Sequence, residues 1–387
     1  MNKTVVLLSL CQALLGTGNI LLIAMAALIG KGLAPSDALI TLPLAMQFVG
    51  LMSATIPASL IMGRLGRRRG FYLGNCLGIS GAAMCAFALA QHSFVSFCAG
   101  SLLLGVGIGF GTLYRFAAVE TCNSEQRSRA ISYVMLGGIL AAFLGPMLAV
   151  ESRDWVSGVP FMGSFLGLMV LNVVALLLLT QADFAKPVKP SAGDEPAREL
   201  VEVLRQPVFI VSVVSAAVGY AVMNLLMSAT PLAMHHSGFS FADSAWVIQW
   251  HVLGMFVPSF FTGKLIARFG SIPMIQLGAF AILLCICVDI SGQGLWYYWS
   301  GLVLLGVGWN FMFISATHLV TAAYTQAEKA KAQAANEFII FSCVTVSALS
   351  SGWLEATIGW RNMNMAMIAI VVLSILVVWG FSRRIAR

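Results

Sequence analysis

Twelve apolar runs, each about 20 residues long, follow one another along the chain and limit its fold more than any other feature. A run of this length crosses the roughly 30 Å hydrocarbon core of a bilayer as an α-helix. An open strand would leave its backbone groups unpaired in lipid, and the alternation typical of a porin strand is absent. The sequence therefore predicts an all-α membrane protein with twelve transmembrane helices. The runs cover residues 5–29, 38–61, 71–90, 94–119, 130–150, 161–179, 208–234, 242–266, 272–290, 295–322, 332–354 and 362–379.

The composition also predicts a lipid environment. Hydrophobic residues make up 59% of the 387 residues and charged residues 10%, against roughly 45–50% and 25% in soluble domains. A soluble fold could not bury so much apolar surface. The net charge of +7 comes from short basic runs between the spans, so we expect contact with a lipid bilayer and no nucleic-acid partner. We also expect a monomer.

The basic residues indicate the orientation of the chain. If the amino terminus lies in the cytoplasm and the spans alternate, eighteen basic residues lie on the cytoplasmic side and three on the other. This bias follows the positive-inside rule. We therefore expect a multi-pass protein of the inner membrane with both termini in the cytoplasm. The three basic residues on the outer side are Lys31, Arg153 and Arg361.

The run at 5–29 follows Lys3 and could be mistaken for a signal peptide, but it is longer than the roughly 7–15 apolar residues of such peptides. We take it as the first span. Residues 181–206 are polar and broken by proline, which is typical of a linker. The chain is thus predicted to consist of a six-helix bundle at 1–180, a cytoplasmic linker at 181–206 and a second six-helix bundle at 207–387.

The two bundles resemble each other in sequence, since the same residues recur about 200 positions apart. Two equal halves of six spans have the same orientation in the membrane, an arrangement typical of transporters whose substrate site lies between the halves. The matched positions are Ser59, Gly63, Leu65, Arg68 and Gly70 with Ser259, Gly263, Leu265, Arg268 and Gly270, and 104–107 with 305–308.

The loop Gly63–Gly70, with sequence GRLGRRRG, resembles the signature loop of the major facilitator superfamily. A weaker copy, Gly263–Gly270, lies where that family repeats the loop. The resemblance covers essentially the whole chain, and it implies a twelve-helix secondary transporter that works by alternating access. The chain departs from the family at Arg67, where an aspartate is usual, and at Ser101, where the drug-antiporter branch has an arginine.

The loop residues are candidates for gating. Glycine suits a position where backbones approach closely or where the chain turns with positive φ, and arginine can meet helix C-termini or acidic headgroups. A simple topology anchor is the alternative explanation. The candidates for gating or coupling are Gly63, Arg68, Gly70, Gly263, Arg268 and Gly270, together with the carboxylates Glu120 and Glu337.

Ionisable residues inside a span are costly and mark candidate functional sites. Arg115 lies in the fourth span and could pair with Glu120 or snorkel to the surface. Alternatively, it could pair with Glu337 of the eleventh span and latch the inner gate. Glu337 is also the candidate for proton coupling, with a plain charge at a helix end as the alternative.

Polar and aromatic side chains in the spans are candidates for substrate binding through hydrogen bonds and stacking. The alternative is that the amides tie neighbouring helices together and that the indoles anchor the chain at the membrane interface. Trp309 is the preferred aromatic candidate because it lies at mid-depth. The candidates are Gln12, Asn19, Arg115, Tyr220, Asn224, Gln249, Trp250, His251, Trp309 and Asn310.

The predicted function is secondary active transport of a small organic solute, aromatic or heterocyclic in character, with coupling to protons. A facilitative carrier and an efflux pump for drugs or metabolites are the alternatives. A membrane-embedded enzyme fits less well, because no acid pair, nucleophile elbow or phosphate-binding loop occurs. Seven of the eight cysteines lie in apolar spans, so no metal site, disulfide framework or cofactor is expected.

Overall fold

A computed structural model describes residues 2–121, 127–184, 198–325 and 328–385, and the statements below concern these residues. They fold into fourteen α-helices and one short 3-10 turn, Asp37–Leu39, without a β-strand. The helices are α1 Lys3–Leu33, α2 Leu42–Leu65, α3 Arg67–Ala90, α4 Phe94–Gly111, α5 Tyr114–Glu120, α6 Arg127–Glu151, α7 Met162–Thr180, α8 Leu200–Leu204, α9 Pro207–His236, α10 Phe241–Phe256, α11 Ser259–Phe269, α12 Ser271–Ser291, α13 Leu295–Val320 and α14 Lys329–Ile385.

These elements form the twelve predicted spans. Ten segments of the described chain are long and apolar enough to cross a membrane. The last of them, Ala334–Ser382, contains two spans, because Gly359 interrupts α14 with φ 75° and ψ 165°. The remaining span is α6, with the apolar stretch Gly137–Glu151. The predicted fold class is therefore confirmed.

Two spans are broken where the sequence predicts continuous helices. The span predicted at 94–119 consists of α4 and α5, with Thr112 capping α4 and donating its hydroxyl to the Gly109 carbonyl. The span predicted at 242–266 consists of α10 and α11, separated at Pro258. Proline lacks an amide hydrogen and collides with the preceding turn, so it interrupts the helix.

Helices within each half approach one another through glycine. A methyl group added at Gly107 of α4 would lie 2.7 Å from the carbonyl oxygen of Gly74 in α3. Likewise, a methyl group at Gly308 of α13 would lie 2.8 Å from the carbonyl oxygen of Gly278 in α12. Because lipid tails are as apolar as leucine, helices in a membrane associate through such close van der Waals contact. The two halves thus use the same crossing.

The structural repeat corrects the sequence match around the signature loop. Gly66 precedes α3 with φ 87° and ψ 158°, and Gly270 precedes α12 with φ 86° and ψ 163°. These equivalent residues are 204 positions apart, so the pairing of Gly70 with Gly270 at 200 positions is wrong. α12 has 21 residues against 24 in α3, which reduces the separation to 201 at α4 and α13. The match of 104–107 with 305–308 agrees with this register.

The structure also tests whether close backbone approach or positive φ explains each glycine of the two loops. A methyl group at Gly63 or Gly263 would meet nothing within 4 Å, and neither residue has positive φ. The turn with positive φ is made at Gly66 and Gly270 instead. Gly70 packs against the Met62 side chain. Close approach therefore does not explain Gly63 or Gly263, whose role in gating remains a prediction.

The loop arginines make separate local contacts. Arg68 donates to the Ala182 carbonyl at 2.5 Å and lies 3.9 Å from the Asp183 carboxylate. Arg268 stacks over the neighbouring Phe269 ring, 5.2 Å from its centroid. These loops lie on the same side of the bundle as the start of α1 and the end of α14. We call this side the basic face.

The two halves have separate cores near the basic face. One core contains residues of the first half only, such as Val5, Phe71 and Tyr114. Another is confined to the second half and includes Phe209 and Val320. Further from the basic face, a single core joins side chains of both halves. The halves are therefore apart at the basic face and together at the opposite face.

Specific contacts close the opposite face. The Thr41 hydroxyl accepts from the Gly352 amide at 3.3 Å, across the seam between the halves. Phe161 of the first half meets Phe241 of the second edge-on, with ring centroids 5.3 Å apart. The Arg153 guanidinium lies 5.2 Å from the Phe161 ring centroid and 5.9 Å from that of Phe241. Such cation–π and edge contacts stabilise the closed seam.

The predicted linker is described only at its two ends, because residues 185–197 lie outside the described part of the chain. At its far end, Arg198 donates to both carboxylate oxygens of Glu328 at 2.7 Å. The guanidinium holds the pKa of the Glu328 carboxyl well below its usual range. The linker is thereby fixed to the loop before α14. The division into 1–180, 181–206 and 207–387 remains a prediction.

We expect valine at Gly107 or Gly308 to destabilise the protein by about 1–3 kcal/mol, because the added side chain would push against a backbone carbonyl. The midpoint of thermal unfolding in detergent measures the effect. Gly380→Val is the matched control, since Gly380 is exposed and a methyl group there meets nothing within 4 Å. Equal midpoints for all three variants would contradict the crossing described above.

Candidate functional site

A cavity of about 190 Å³ lies between the two halves. This volume is far larger than the roughly 10–15 Å³ that one water molecule requires, so the cavity has room for a small organic molecule. Helices of both halves supply its walls at mid-depth and towards the basic face, where the cores separate. The lining residues are Gln12, Leu15, Gly16, Asn19, Ile20, Ile23, Phe48, Leu51, Ile108, Thr112, Val134, Gly138, Ala141, Tyr220, Met223, Asn224, Met227, Val252, Met255, Phe256, Trp309, Phe313, Glu337 and Phe341.

An aromatic cluster forms the wall on the side of the second half. Trp309 and Phe313, one turn apart on α13, are stacked with centroids 4.8 Å apart and planes at 11°. Tyr220 of α9 meets Trp309 edge-on at 5.3 Å and Phe313 at 5.5 Å. Phe341 lies 5.7 Å from Tyr220, and Phe256 lies 6.3 Å from Trp309. A planar aromatic solute would find both ring faces and ring edges here.

The members of this cluster differ in their access to the cavity. Trp309 is only 5% exposed, and its indole nitrogen has no hydrogen-bond partner within the described residues. Tyr220 and Phe313 are half-buried, so they are the more accessible ring surfaces. Trp309 therefore backs the aromatic wall, while Tyr220 and Phe313 face the open space.

Amide side chains line the side of the first half. Gln12 and Asn19 lie seven residues apart on α1 and so share one helix face. Gln47 of α2 donates its amide nitrogen to the Asn19 oxygen. Because the oxygen is occupied, the Asn19 nitrogen is left as a donor for another partner. Gln47 was not among the predicted binding residues, although it is an amide in an apolar span and is fully buried.

Asn224 lies at the junction of the cavity and the packing of the second half. Its amide nitrogen donates to the Ser347 hydroxyl at 3.0 Å and to the Val344 carbonyl at 3.3 Å. Its oxygen has no partner among the described residues. Asn224 thus holds α9 to α14 and keeps one acceptor unused beside the cavity.

Four of the predicted binding residues do not line the cavity. Asn310 bonds to Thr262, Ser259 and the Met255 carbonyl, which ties α13 to α10 and α11. His251 is buried, with its Nδ1 atom 2.7 Å from the Leu302 carbonyl oxygen.

Trp250 is 39% exposed and packs with the indoles of Trp246 and Trp299, in the parts of α10 and α13 away from the basic face. Gln249 is half-buried and also lies outside the cavity. The sequence indicates that Gln249, Trp250 and His251 lie inside a span. It does not indicate which face of the helix each of them occupies. For Asn310 and His251, helix packing is the role that the contacts support.

The charged candidates are separated. Glu120 pairs with Arg67 at 2.6 Å, a partner that the sequence analysis did not consider. Glu337 lines the cavity and accepts from the Asn336 amide at 3.3 Å. Arg115 belongs to α5, but its side chain lies outside the described part of the structure. The predicted pairing of Arg115 with Glu337 or Glu120 therefore remains untested.

One ionisable residue in a span escaped the sequence analysis. Asp289 of α12 is 2% exposed, accepts from the Cys285 thiol at 3.4 Å and packs against Gly301. The rule that selected Arg115 and Glu337 would have found it. It lies between α12 and α13, away from the cavity.

Comparison with known proteins gives a consistent result. The sequence model described as Major Facilitator Superfamily matches residues 8–342. The riboflavin transporter RfnT of Brucella anthropi is 39% identical over 373 residues, which covers 96% of this chain and 94% of that protein. The uncharacterized MFS-type transporter YdeG of Bacillus subtilis is 26% identical over 402 residues, with 99% and 93% coverage.

Solved structures of low sequence identity share the fold. A D-xylose-proton symporter superposes with a TM-score of 0.77 at 14% identity, covering 98% of this chain and 97% of that one. A bacterial homolog to the human lysosomal transporter Spinster, inward-facing and occupied, gives 0.73 at 17% identity, with 98% and 96% coverage. With the twelve spans, the repeated halves and the central cavity, these matches mean that the chain belongs to the major facilitator superfamily of membrane transporters.

Proposed function

We propose that this transporter carries riboflavin, or a flavin closely related to it, across the bacterial plasma membrane by alternating access. The observation that carries the proposal is the aromatic wall of the central cavity, taken together with the 39% identity to a riboflavin transporter over nearly the whole chain. Flavins present a large planar ring with hydrogen-bonding groups on its edge. The cavity offers such a ring aromatic faces, amides and an unpaired acceptor.

The aromatic wall argues against a sugar as the substrate. A sugar is bound mainly through its hydroxyl groups, whereas most of the lining of this cavity is apolar or aromatic. The likeness to the D-xylose symporter, at 14% identity, concerns the fold alone. The relative of much higher identity has a heteroaromatic solute in its name.

The basic face is proposed to be cytoplasmic. Of the 21 Lys and Arg residues outside the fourth span, eighteen fall on this side when the spans alternate. Both termini are then cytoplasmic. The separate cores at this face and the closed contacts at the other correspond to an inward-open state. The outward-open state requires the Thr41–Gly352 and Phe161–Phe241 contacts to separate.

Proton coupling is proposed to act through Glu337. This carboxylate lines the cavity and lies close to the start of α14, so it can interact with solute and exchange protons from the basic face. A carboxylate at membrane depth is costly and is expected to serve a function. A facilitative carrier would need no such group.

We expect the purified protein in proteoliposomes to exchange labelled riboflavin for unlabelled riboflavin across the membrane. Counterflow requires a carrier and occurs without net transport, so it separates a transporter from an enzyme or a channel. Liposomes without protein provide the background. Absence of counterflow, in protein whose thermal unfolding shows it to be folded, would overturn the flavin assignment.

Tyr220→Ala and Phe313→Ala are expected to weaken riboflavin binding about tenfold or more, because each removes an accessible ring worth about 0.5–1.5 kcal/mol beyond its buried area. Quenching of flavin fluorescence by the purified protein measures the dissociation constant. Trp296→Ala is the matched control, since Trp296 is 67% exposed and outside the cavity. A loss in the control equal to that in the variants would refute the aromatic site.

Glu337→Gln should abolish the acceleration of riboflavin uptake by an inward proton gradient while counterflow continues, because the amide cannot release a proton. Uptake at two external pH values, compared with counterflow at one, separates the two effects. Glu151→Gln, at an exposed residue of the opposite face, is the control. If the wild type itself ignores the gradient, the carrier is facilitative and the coupling proposal is wrong.

A further inference from the structure

Equivalent positions of the two halves line the cavity with different side chains. At the 204-residue register of α1 and α9, which begin at Lys3 and Pro207, Gly16 corresponds to Tyr220. At the 201-residue register of α4 and α13, Trp309 corresponds to Ile108 and Phe313 corresponds to Thr112. At these positions the symmetric scaffold therefore presents ring surfaces in the second half only, although Phe48 of α2 also lines the cavity. On the side of the first half, the same positions carry smaller side chains or, at Gly16, none.

One face of α1 belongs to this wall of smaller residues. Gln12, Gly16 and Asn19 follow one another at helical spacing, and all three line the cavity. The helical rise places Gln12 and Asn19 about 10 Å apart along α1. Between them Gly16 packs against Ala141 of α6, since a methyl group at Gly16 would lie 2.9 Å from the Ala141 Cβ. Both residues line the cavity and neither has a long side chain, so the wall is low there. An amide thus stands at each end of a shallow groove.

The amides at the two ends have unused hydrogen-bonding capacity. No hydrogen bond to the Gln12 side chain is formed within the described chain, and this side chain is half-buried. The Asn19 oxygen accepts from Gln47, which fixes the amide so that its nitrogen is available to a ligand. A buried or half-buried amide without a partner favours a polar ligand, since leaving it unpaired costs free energy.

We infer that the cavity recognises a two-part solute, with a planar ring against Tyr220 and Phe313 and a linear hydroxylated chain along the α1 groove. The inference rests on the proposed flavin function and deepens it: the ring would be the isoalloxazine and the chain the ribityl group. Gln12 and Asn19 determine specificity for the chain by hydrogen bonding to its hydroxyls. Gln47 is a positioning residue that orients Asn19.

Riboflavin and lumiflavin provide the test, because lumiflavin has the same ring with a methyl group in place of the ribityl chain. Binding of each to the purified full-length protein is measured by flavin fluorescence. We expect the wild type to bind riboflavin more tightly than lumiflavin. Gln12→Met and Asn19→Leu, which keep the side-chain volume, should weaken riboflavin binding about 3- to 10-fold each and leave lumiflavin unchanged.

Two comparisons distinguish recognition from damage to the fold. Tyr220→Ala should weaken both flavins by the same factor, because both carry the ring. Asn362→Leu, an amide-to-leucine change at an exposed residue of the opposite face, should change neither. For the positioning role, Gln47→Leu should weaken riboflavin alone, and the double variant Gln47→Leu/Asn19→Leu should bind no worse than Asn19→Leu.

The outcomes separate this inference from the proposed function. If the wild type binds neither flavin, the proposed function fails and the inference fails with it. If the wild type binds both flavins equally, or if Asn19→Leu weakens both by the same factor, the flavin function stands and the division of the cavity is wrong.

Discussion

Contact between backbones at glycine is the interaction on which the rest of this structure depends. Lipid offers no hydrophobic gain when two helices meet, so the helices of each half must be held by short-range contact over closely fitting surfaces. α4 and α13 provide it, because each presents glycines to both of its neighbours. Gly105 faces the Gln47 backbone and Gly306 faces the His251 backbone, at equivalent crossings of the two halves. A side chain at these positions would separate the helices.

Halves packed in this way behave as stiff bodies, and the seam between them is where movement can occur. The described contacts across the closed face all involve side chains: the hydrogen bond near Thr41, the Phe161–Phe241 pair with the Arg153 guanidinium above it, and the apolar core that both halves share. Such contacts can separate and re-form without disturbing the glycine crossings. Rocking of one half against the other would exchange side-chain contacts at the seam, whereas deformation within a half would break backbone contacts that have no substitute in lipid.

The sequence predicts those features that depend on composition along the chain. Span number follows from the length of apolar runs, which bilayer thickness dictates. Features that depend on direction were missed. Asn310 and Gln249 were grouped with Trp309 because all three lie inside spans, although Asn310 and Gln249 do not line the cavity. The register at the signature loop was four residues off, because matching letters could not reveal that Gly66, rather than Gly70, carries the positive φ.

The symmetric scaffold and the asymmetric cavity have different physical origins. Backbone crossings such as those at Gly105 and Gly306, or at Gly107 and Gly308, tolerate only glycine or another small residue, so both halves keep glycine there. Cavity positions differ between the halves because each side chain there fits its own neighbours. A methyl group at Gly16 would lie 2.9 Å from the Ala141 side chain, whereas Tyr220 packs against Trp309 and Phe313. Tyr220 thus occupies in the second half the position that Gly16 occupies in the first, and both residues line the cavity. A duplicated fold thus gains a binding site with two unlike sides while the contacts that hold each half together stay the same.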